Sequence, residues 1–214
     1  MNKNLFFIVL FFLSCTLSAQ NNPNKDSVLL EKTTEKYSAL SAFSMDYTFK
    51  VDDPAIKFPT YKGNLLVQKE KYYLTVDDQV IANDGKLLWN YQKNVNEVSF
   101  FEANDDSFSM FNPMIMLNNW SKDYKAKFIR KEEFQKKMML IVDLTPVKQF
   151  QFYKFRLFID ESTSYIQKIV MYDMDNTTTI YTITKFTPNV SVPEDKFTFK
   201  KIDYPDVQVN DMRQ

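Results

Sequence analysis

Val80 to Phe101 reads VIANDGKLLWNYQKNVNEVSFF, and this stretch decides the fold class. Asn83-Asp84-Gly85 supplies residue types that accept the positive φ of a tight hairpin. Beyond it, Leu87, Trp89 and Tyr91 alternate with Lys86, Leu88, Asn90 and Gln92 at the two-residue period of a pleated strand, so one face of that strand is aromatic. Val95 to Phe101 follows Gln92-Lys93-Asn94, which predicts a second hairpin and hence a meander. A meander serves equally as a packed core, a ligand cup or a binding module.

Upstream, Tyr61 to Gln68 and Tyr72 to Asp77 read as strands, with Gly63 marking a bulge or a close approach by neighbouring atoms. Phe43 to Val51 sets Phe43, Met45, Tyr47, Phe49 and Val51 against Ser44, Asp46, Thr48 and Lys50, the cleanest half-buried strand in the chain. Ser27 to Leu40 predicts an amphipathic helix with Val28, Leu29, the Lys32 stem, Tyr37 and Leu40 on its apolar side. Downstream, Met110 to Trp120, MFNPMIMLNNW, predicts a short helix with Asn112 as cap and Pro113 in its first turn. Being apolar on nearly all sides, it either packs statically over the open end of the sheet or forms a lid over an apolar cavity, and its methionines suit a surface that repacks around different ligands. Strands then run Tyr124–Arg130, Met138–Leu144, Phe150–Ile159, Tyr165–Tyr172, Thr177–Phe186 and Lys196–Lys200. The expectation is a mainly β fold of about eleven strands in an incomplete, strongly curved antiparallel β-barrel, with an N-terminal helix and a short helical lid.

At the N-terminus, Lys3 precedes the apolar run Leu5–Leu13, and the small and polar residues to Ala19 complete the layout of an export signal. The run falls short of the roughly 20 residues that span a bilayer. Residues 1–19 are therefore expected to be a signal peptide and 20–214 one domain. Cys15 admits two readings, filler of the signal or a lipidation site. A cleaved chain without cysteine has no disulfide and relies on its core.

Lys plus Arg and Asp plus Glu both number 27, so no net field steers the chain to nucleic acid or an anionic membrane. Absence of His, with Cys confined to the leader, removes the usual zinc and copper ligands and the bases of nucleophilic triads. Only 2 glycines, Gly63 and Gly85, exclude Gly-rich phosphate loops. The acidic pairs Asp52-Asp53, Asp77-Asp78, Asp105-Asp106 and Asp173 with Asp175 all fall in predicted turns. The last lacks the glycine and later glutamate of a calcium loop. No metal, cofactor or enzyme chemistry has a residue set to stand on. What stands out is aromatic and Met content, with 20 Phe, 12 Tyr and 10 Met, suited to a large core or to an interior that takes something apolar.

In order, Gly63-Asn64-Leu65-Leu66, Lys69-Glu70-Lys71-Tyr72, Ile81 to Tyr91 with its Asp84-Gly85 and Leu88-Trp89-Asn90-Tyr91, Asn96-Glu97-Val98, Asn112-Pro113-Met114 and Phe197-Thr198-Phe199 resemble the LolA family of periplasmic outer-membrane lipoprotein carriers, in a Bacteroidetes-type form. The resemblance implies a half-barrel whose apolar cavity shields lipoprotein acyl chains between the inner and outer membranes, in a periplasmic monomer without a cofactor. Its implied partners are acylated lipoproteins, an inner-membrane lipoprotein-releasing ABC transporter complex and an outer-membrane acceptor. By position it assigns Phe49, Leu65, Tyr73, Trp89 and Tyr91 to the cavity and Pro113, Met114, Met116, Leu117 and Trp120 to the lid. Tyr73 stands where the family carries an arginine that holds the lid closed, which puts a phenolic hydroxyl at the lock. A lipid-binding envelope module, membrane-attached or soluble, with the same half-barrel and different cargo is the alternative.

Overall fold

The computed structural model describes residues 23–105, 108, 111–112, 114–117, 120–148 and 151–213. The expected signal peptide, Cys15 and Pro113 lie outside the described residues. Helix α1 (Pro23–Ser38) comes first. Strands β1 (Phe43–Asp52), β2 (Lys57–Gln68), β3 (Lys71–Val76), β4 (Gln79–Asn83), β5 (Leu87–Gln92) and β6 (Glu97–Glu102) follow. A 3-10 turn (Ile115–Leu117) and the single-turn α2 (Trp120–Asp123) lead into β7 (Tyr124–Phe134), β8 (Lys137–Pro146), β9 (Phe152–Asp160), β10 (Ile166–Asp173) and β11 (Thr178–Pro188). The tail ends in β12 (Gln208–Asp211).

All 12 strands form one sheet in the order β12-β6-β5-β4-β3-β2-β1-β11-β10-β9-β8-β7. Two meanders, β1 to β6 and β7 to β11, meet where β1 pairs with β11. This corrects the barrel expectation. The sheet is open, neither closed nor strongly curled, and it is mixed because β12 runs parallel to β6. Closing a sheet uses glycine kinks and bulges at its corners, and the chain has 2 glycines, of which Gly85 serves a turn at φ 88°. The single buried face per strand that a barrel implies also fails in β4 and β5, which bury residues of both parities.

On the inner face, the register aligns Met45, Leu65, Leu74 and Ile81 across β1 to β4, all but inaccessible. Each such side chain contributes roughly 1.5–3 kcal/mol when buried. The same core collects Val142, Leu144, Leu157 and Ile159 from β8 and β9 and Leu30 from α1. Leu30, Thr33 and Tyr37 form the buried stripe of that helix, at the spacing of one helical face. The outer face carries two separate clusters. One gathers around Trp89 and Val98 beneath the C-terminal tail; the other gathers around Met139, Ile141, Phe158 and Val170.

The hairpin between β4 and β5 follows its sequence. The Asn83 side-chain oxygen accepts from the Gly85 amide at 2.8 Å and the Asp84 carboxylate from the Lys86 and Leu87 amides at 2.9 and 2.8 Å, so side chains satisfy the turn's backbone donors. The β5–β6 hairpin places Asn96 at φ 49°, a conformation asparagine tolerates.

Candidate functional site

In place of a single lid helix, the described residues of this stretch, Phe108, Phe111, Asn112, Met114 to Leu117 and Trp120 to Asp123, include a 3-10 turn and the single-turn α2, and Met114, Met116, Leu117 and Trp120 pack on the inner face. The Leu117 amide donates to the Met114 carbonyl at 3.0 Å, and the Met114 amide to the Asn112 side chain at 3.1 Å. Asn112 therefore caps the approach to the 3-10 turn Ile115–Leu117, and the expected short helix is met by two separate helical turns, this one and α2. Met114, Met116, Leu117 and Trp120 are all buried within the inner core.

This roof hangs from the sheet by a defined contact, in which the Tyr47 hydroxyl on β1 donates to the Phe111 carbonyl. Burial, reinforced by neighbouring Tyr181, pushes the Tyr47 phenol far above its ordinary range, so it remains a proton donor at every physiological pH. Gly63 makes the contact sterically possible. A Cβ built there would lie 2.3 Å from Tyr47 Cζ and 2.5 Å from its hydroxyl oxygen, so only glycine lets the ring lie across β2. Phe49 sits beside it, stacked on Tyr61 at 4.8 Å and meeting Phe111 edge-on at 6.0 Å.

Beside the roof, a cleft of about 300 Å³ opens between the end of α1, the start of β1 and the β2–β3 turn. Leu40, Phe43 and Val67 supply apolar walls, Met114 and Leu117 the roof, and Lys69, Glu70, Thr34 and Ser38 a polar rim. Tyr37 fixes one wall. Its hydroxyl oxygen accepts the Ile166 amide at 3.1 Å, where the register between β9 and β10 shifts. Its ring meets Phe43, Tyr165 and Phe186 edge-on at 5.3, 5.4 and 5.7 Å. An apolar interior with a polar rim suits an amphiphile whose chain enters and whose head stays near water. The volume lies at the lower end of the roughly 300–1,000 Å³ usual for ligand pockets, so larger cargo requires the roof to lift.

The structure separates the residues expected to share one cavity. Phe49 and Leu65 lie in the inner core with Met114, Met116, Leu117 and Trp120, and Met114 and Leu117 also line the cleft. Tyr73, Trp89 and Tyr91 lie on the outer face, because each occupies the alternate parity to its inner-facing neighbours. There they clamp the tail. Trp89 Nε1 donates to the Phe197 carbonyl at 2.9 Å, and Phe199 and Tyr204 pack on the indole at 5.5 and 6.1 Å. Tyr73 carries the Lys196 ammonium 3.6 Å from its ring centre, so the phenolic lock on the roof is Tyr47 and not Tyr73.

Sequence reading missed Tyr47 as the lock and Phe43 and Val67 as cleft walls. The available signal for the first was Gly63, whose marked close approach turns out to be the Tyr47 ring. Among the described residues no cluster of His, Cys, Asp or Glu could hold a metal ion, and Asp173 and Asp175 flank a turn in which Asp175 accepts the Thr177 amide at 2.9 Å.

The model of the family described as outer membrane lipoprotein carrier protein LolA matches residues 38–200, which takes in the roof, the cleft lining other than Thr34 and Tyr37 of α1, and Tyr73, Trp89 and Tyr91 of the outer cluster. An uncharacterized protein of Methanocaldococcus jannaschii is 27% identical over 205 residues, covering 92% of this chain. The chain spans about half that relative's length, 56%. Among solved structures, an uncharacterized conserved protein from Thermus thermophilus superposes with a TM-score of 0.62 at 9% identity, covering 89% of this chain and 99% of that one. A domain of Vibrio parahaemolyticus assigned to outer membrane lipoprotein sorting superposes at 0.51 with 11% identity, covering 83% and 97%. At such identities these likenesses show a shared fold.

Proposed function

We propose a function from one premise: this chain belongs to the LolA family of outer membrane lipoprotein carrier proteins, which are periplasmic and non-catalytic and handle lipoproteins of the envelope. Within that family role, the chain takes the acyl chains of lipoproteins into the inner-face cleft and carries them from the inner to the outer membrane. The observation that carries this reading is the cleft itself, apolar within, polar at its rim, and roofed by Met114 and Leu117 on a segment hung from the Tyr47 hydroxyl.

The energetics fit a carrier. Lifting a roof that buries Met114, Met116, Leu117 and Trp120 costs about 7–13 kcal/mol, at roughly 1.5–3 kcal/mol per side chain plus about 1 kcal/mol for the hydrogen bond. Shielding about sixteen acyl CH₂ groups at roughly 0.8 kcal/mol each offsets this. Cargo entry can therefore drive the roof open, and removal of the cargo lets it close again. Loading falls to an inner-membrane lipoprotein-releasing ABC transporter complex and unloading to an outer-membrane acceptor. Phe49 and Leu65 form part of the apolar bed exposed as the roof lifts and carries Met116 and Trp120 with it.

A photoactivatable side chain in place of Met114, introduced in cells, tests this reading. Acylated lipoproteins are expected to crosslink there, and not from Trp89 on the outer face. Loss of the Met114 adduct when lipoprotein acylation is blocked confirms acyl recognition; undiminished capture overturns it.

A further inference from the structure

The sheet register gathers a basic surface on the outer face, away from the cleft. Cross-strand partners share a face, and following them across the sheet joins Lys62 on β2 through Lys168 on β10 to Arg130 on β7. The next row joins Lys50 on β1 through Arg156 on β9 to Lys127 on β7. Lys154 and Lys125 stand one alternation further along β9 and β7.

Carboxylates on this face are few, and Asp46, which accepts from the Asn64 side chain at 2.6 Å, is the one not paired with a cation among the described residues. Asp143 receives Arg156 through two hydrogen bonds of 2.7 and 2.8 Å and also faces Lys154 at 3.8 Å. Glu132 holds Arg130, and Asp52 lies 3.7 Å from Lys50. Lys168 sits over the Phe158 ring at 4.7 Å. Lys62, Lys125 and Lys127 are exposed and make no ion pair with the described residues. Because the whole chain is formally neutral, this positive face has its counterpart elsewhere: Asp77, Asp78, Glu97 and Glu102 lie around the β3–β4 turn and β6, at the other end of the sheet.

We propose that this outer face docks on the surface of a membrane containing anionic phospholipids. Its uncommitted cations are lysines, while both arginine forks are already taken by carboxylates. Point charges on flexible stems suit a diffuse field of phosphates, whereas a discrete phosphate or acidic-peptide site uses the bidentate arginine fork. Lys62 and Lys127 stand six strand spacings apart, roughly 29 Å at about 4.8 Å per strand, a breadth that spans many headgroups. The Lys154 and Lys168 ammonium groups themselves lie over the Tyr172 and Phe158 rings at 4.2 and 4.7 Å, cation–π contacts that hold positive charge on this face. The inference uses the face opposite the cleft and stands independently of acyl-chain binding.

Sedimentation of the purified protein with two kinds of vesicle tests it, one of phosphatidylcholine alone and one of phosphatidylcholine and phosphatidylglycerol in equal parts. Binding is expected only to the second, and is expected to disappear at high salt as exposed charges are screened. Combining Lys62→Glu, Lys125→Glu and Lys127→Glu is expected to lower partitioning by roughly a hundredfold or more. Combining Lys32→Glu on α1 with Lys86→Glu and Lys93→Glu in the two hairpin turns makes the same change in net charge away from this face and is expected to leave most of the binding. Failure of the wild type to bind the anionic vesicles overturns the proposal. So does salt-insensitive binding, or equal loss in the two triple variants, which would make net charge the only determinant.

Discussion

The inner and outer faces of the β3–β6 half-sheet are both rich in aromatic and apolar side chains, yet they are closed in different ways. On the inner face the cover is a run of turns attached through the Tyr47 hydroxyl and lying beside a cleft of about 300 Å³. On the outer face the cover is the C-terminal tail, anchored by the Trp89–Phe197 hydrogen bond, by Asn96 donating to the Pro205 carbonyl at 3.0 Å, and by β12 adding to the sheet. Aromatic density alone therefore does not mark the functional cavity. Among the described residues the two covers differ in the number and kind of bonds that hold them: one side-chain hydrogen bond from the sheet to the inner cover, against those of Trp89 and Asn96 and a strand pairing on the outer one.

The largest expected effect falls on the outer cover. Trp89→Ala removes the centre of the outer cluster and the partner of the Phe197 carbonyl, and should cost about 3–5 kcal/mol of stability in denaturant unfolding. The remaining folded protein should still take up an acylated probe at the inner face. Loss of probe uptake without loss of stability would erase the distinction between the two faces. Gly63→Ala should cost about 1–3 kcal/mol, since the new methyl displaces the Tyr47 ring or the β2 backbone. It strikes the roof as well, because the displaced hydroxyl no longer reaches Phe111. Thermal unfolding measures the first consequence and hydrogen exchange at the Leu117 amide the second.

The difference between the faces was only partly legible in the residues. Alternation in Phe43–Val51 and the Asn83-Asp84-Gly85 turn are local properties, and strand and hairpin formed where they pointed. Trp89 and Tyr91 were also legible as one aromatic face, but a period of two says that residues share a face and not which face it is. The answer depends on the tail about a hundred residues later, whose Phe197, Phe199 and Tyr204 cover that side. Curvature was illegible for a related reason: it depends on bulges, glycine kinks and the pairing of distant edges, whereas each strand's own pattern is nearly the same in an open sheet. The lid segment was legible as apolar and as a cover, but its turns depend on Asn112 capping Met114 and on a tyrosine hydroxyl from β1, neither of which hydrophobic periodicity records.

A smaller change isolates the roof. Tyr47→Phe keeps the ring that Gly63 accommodates and removes only the hydroxyl that donates to Phe111. The expected cost is about 1 kcal/mol, seen as roughly fivefold faster exchange at the Leu117 amide with little change at β12 amides such as Gln208, which donates to the Asn96 carbonyl at 3.0 Å. Equal acceleration at both would mean that the two covers open as one cooperative unit.

The smallest effect separates the faces by pH. Burial, with Asp175 adding to it, raises the Asp173 carboxyl from 3.8 to about 6, and Asp173 in turn acts on Tyr181 of the inner core. Between those two values the folded state holds more protons at this site than the unfolded state, so the group's contribution becomes less favourable as pH rises from about 4 through 6. The penalty is fully developed above 6 and is relieved on acidification. Because the group is only partly buried, solvent screening reduces the effect to about 1 kcal/mol or less. Asp173→Asn should therefore stabilise the protein slightly at pH 7 and not at pH 4, measured as the difference between variant and wild-type midpoints so that other carboxylates cancel. Exchange should slow at inner-face amides and stay unchanged in the tail. A variant more stabilising at pH 4 than at pH 7 would reverse the sign and show that Asp173 is favoured as the carboxylate in the fold.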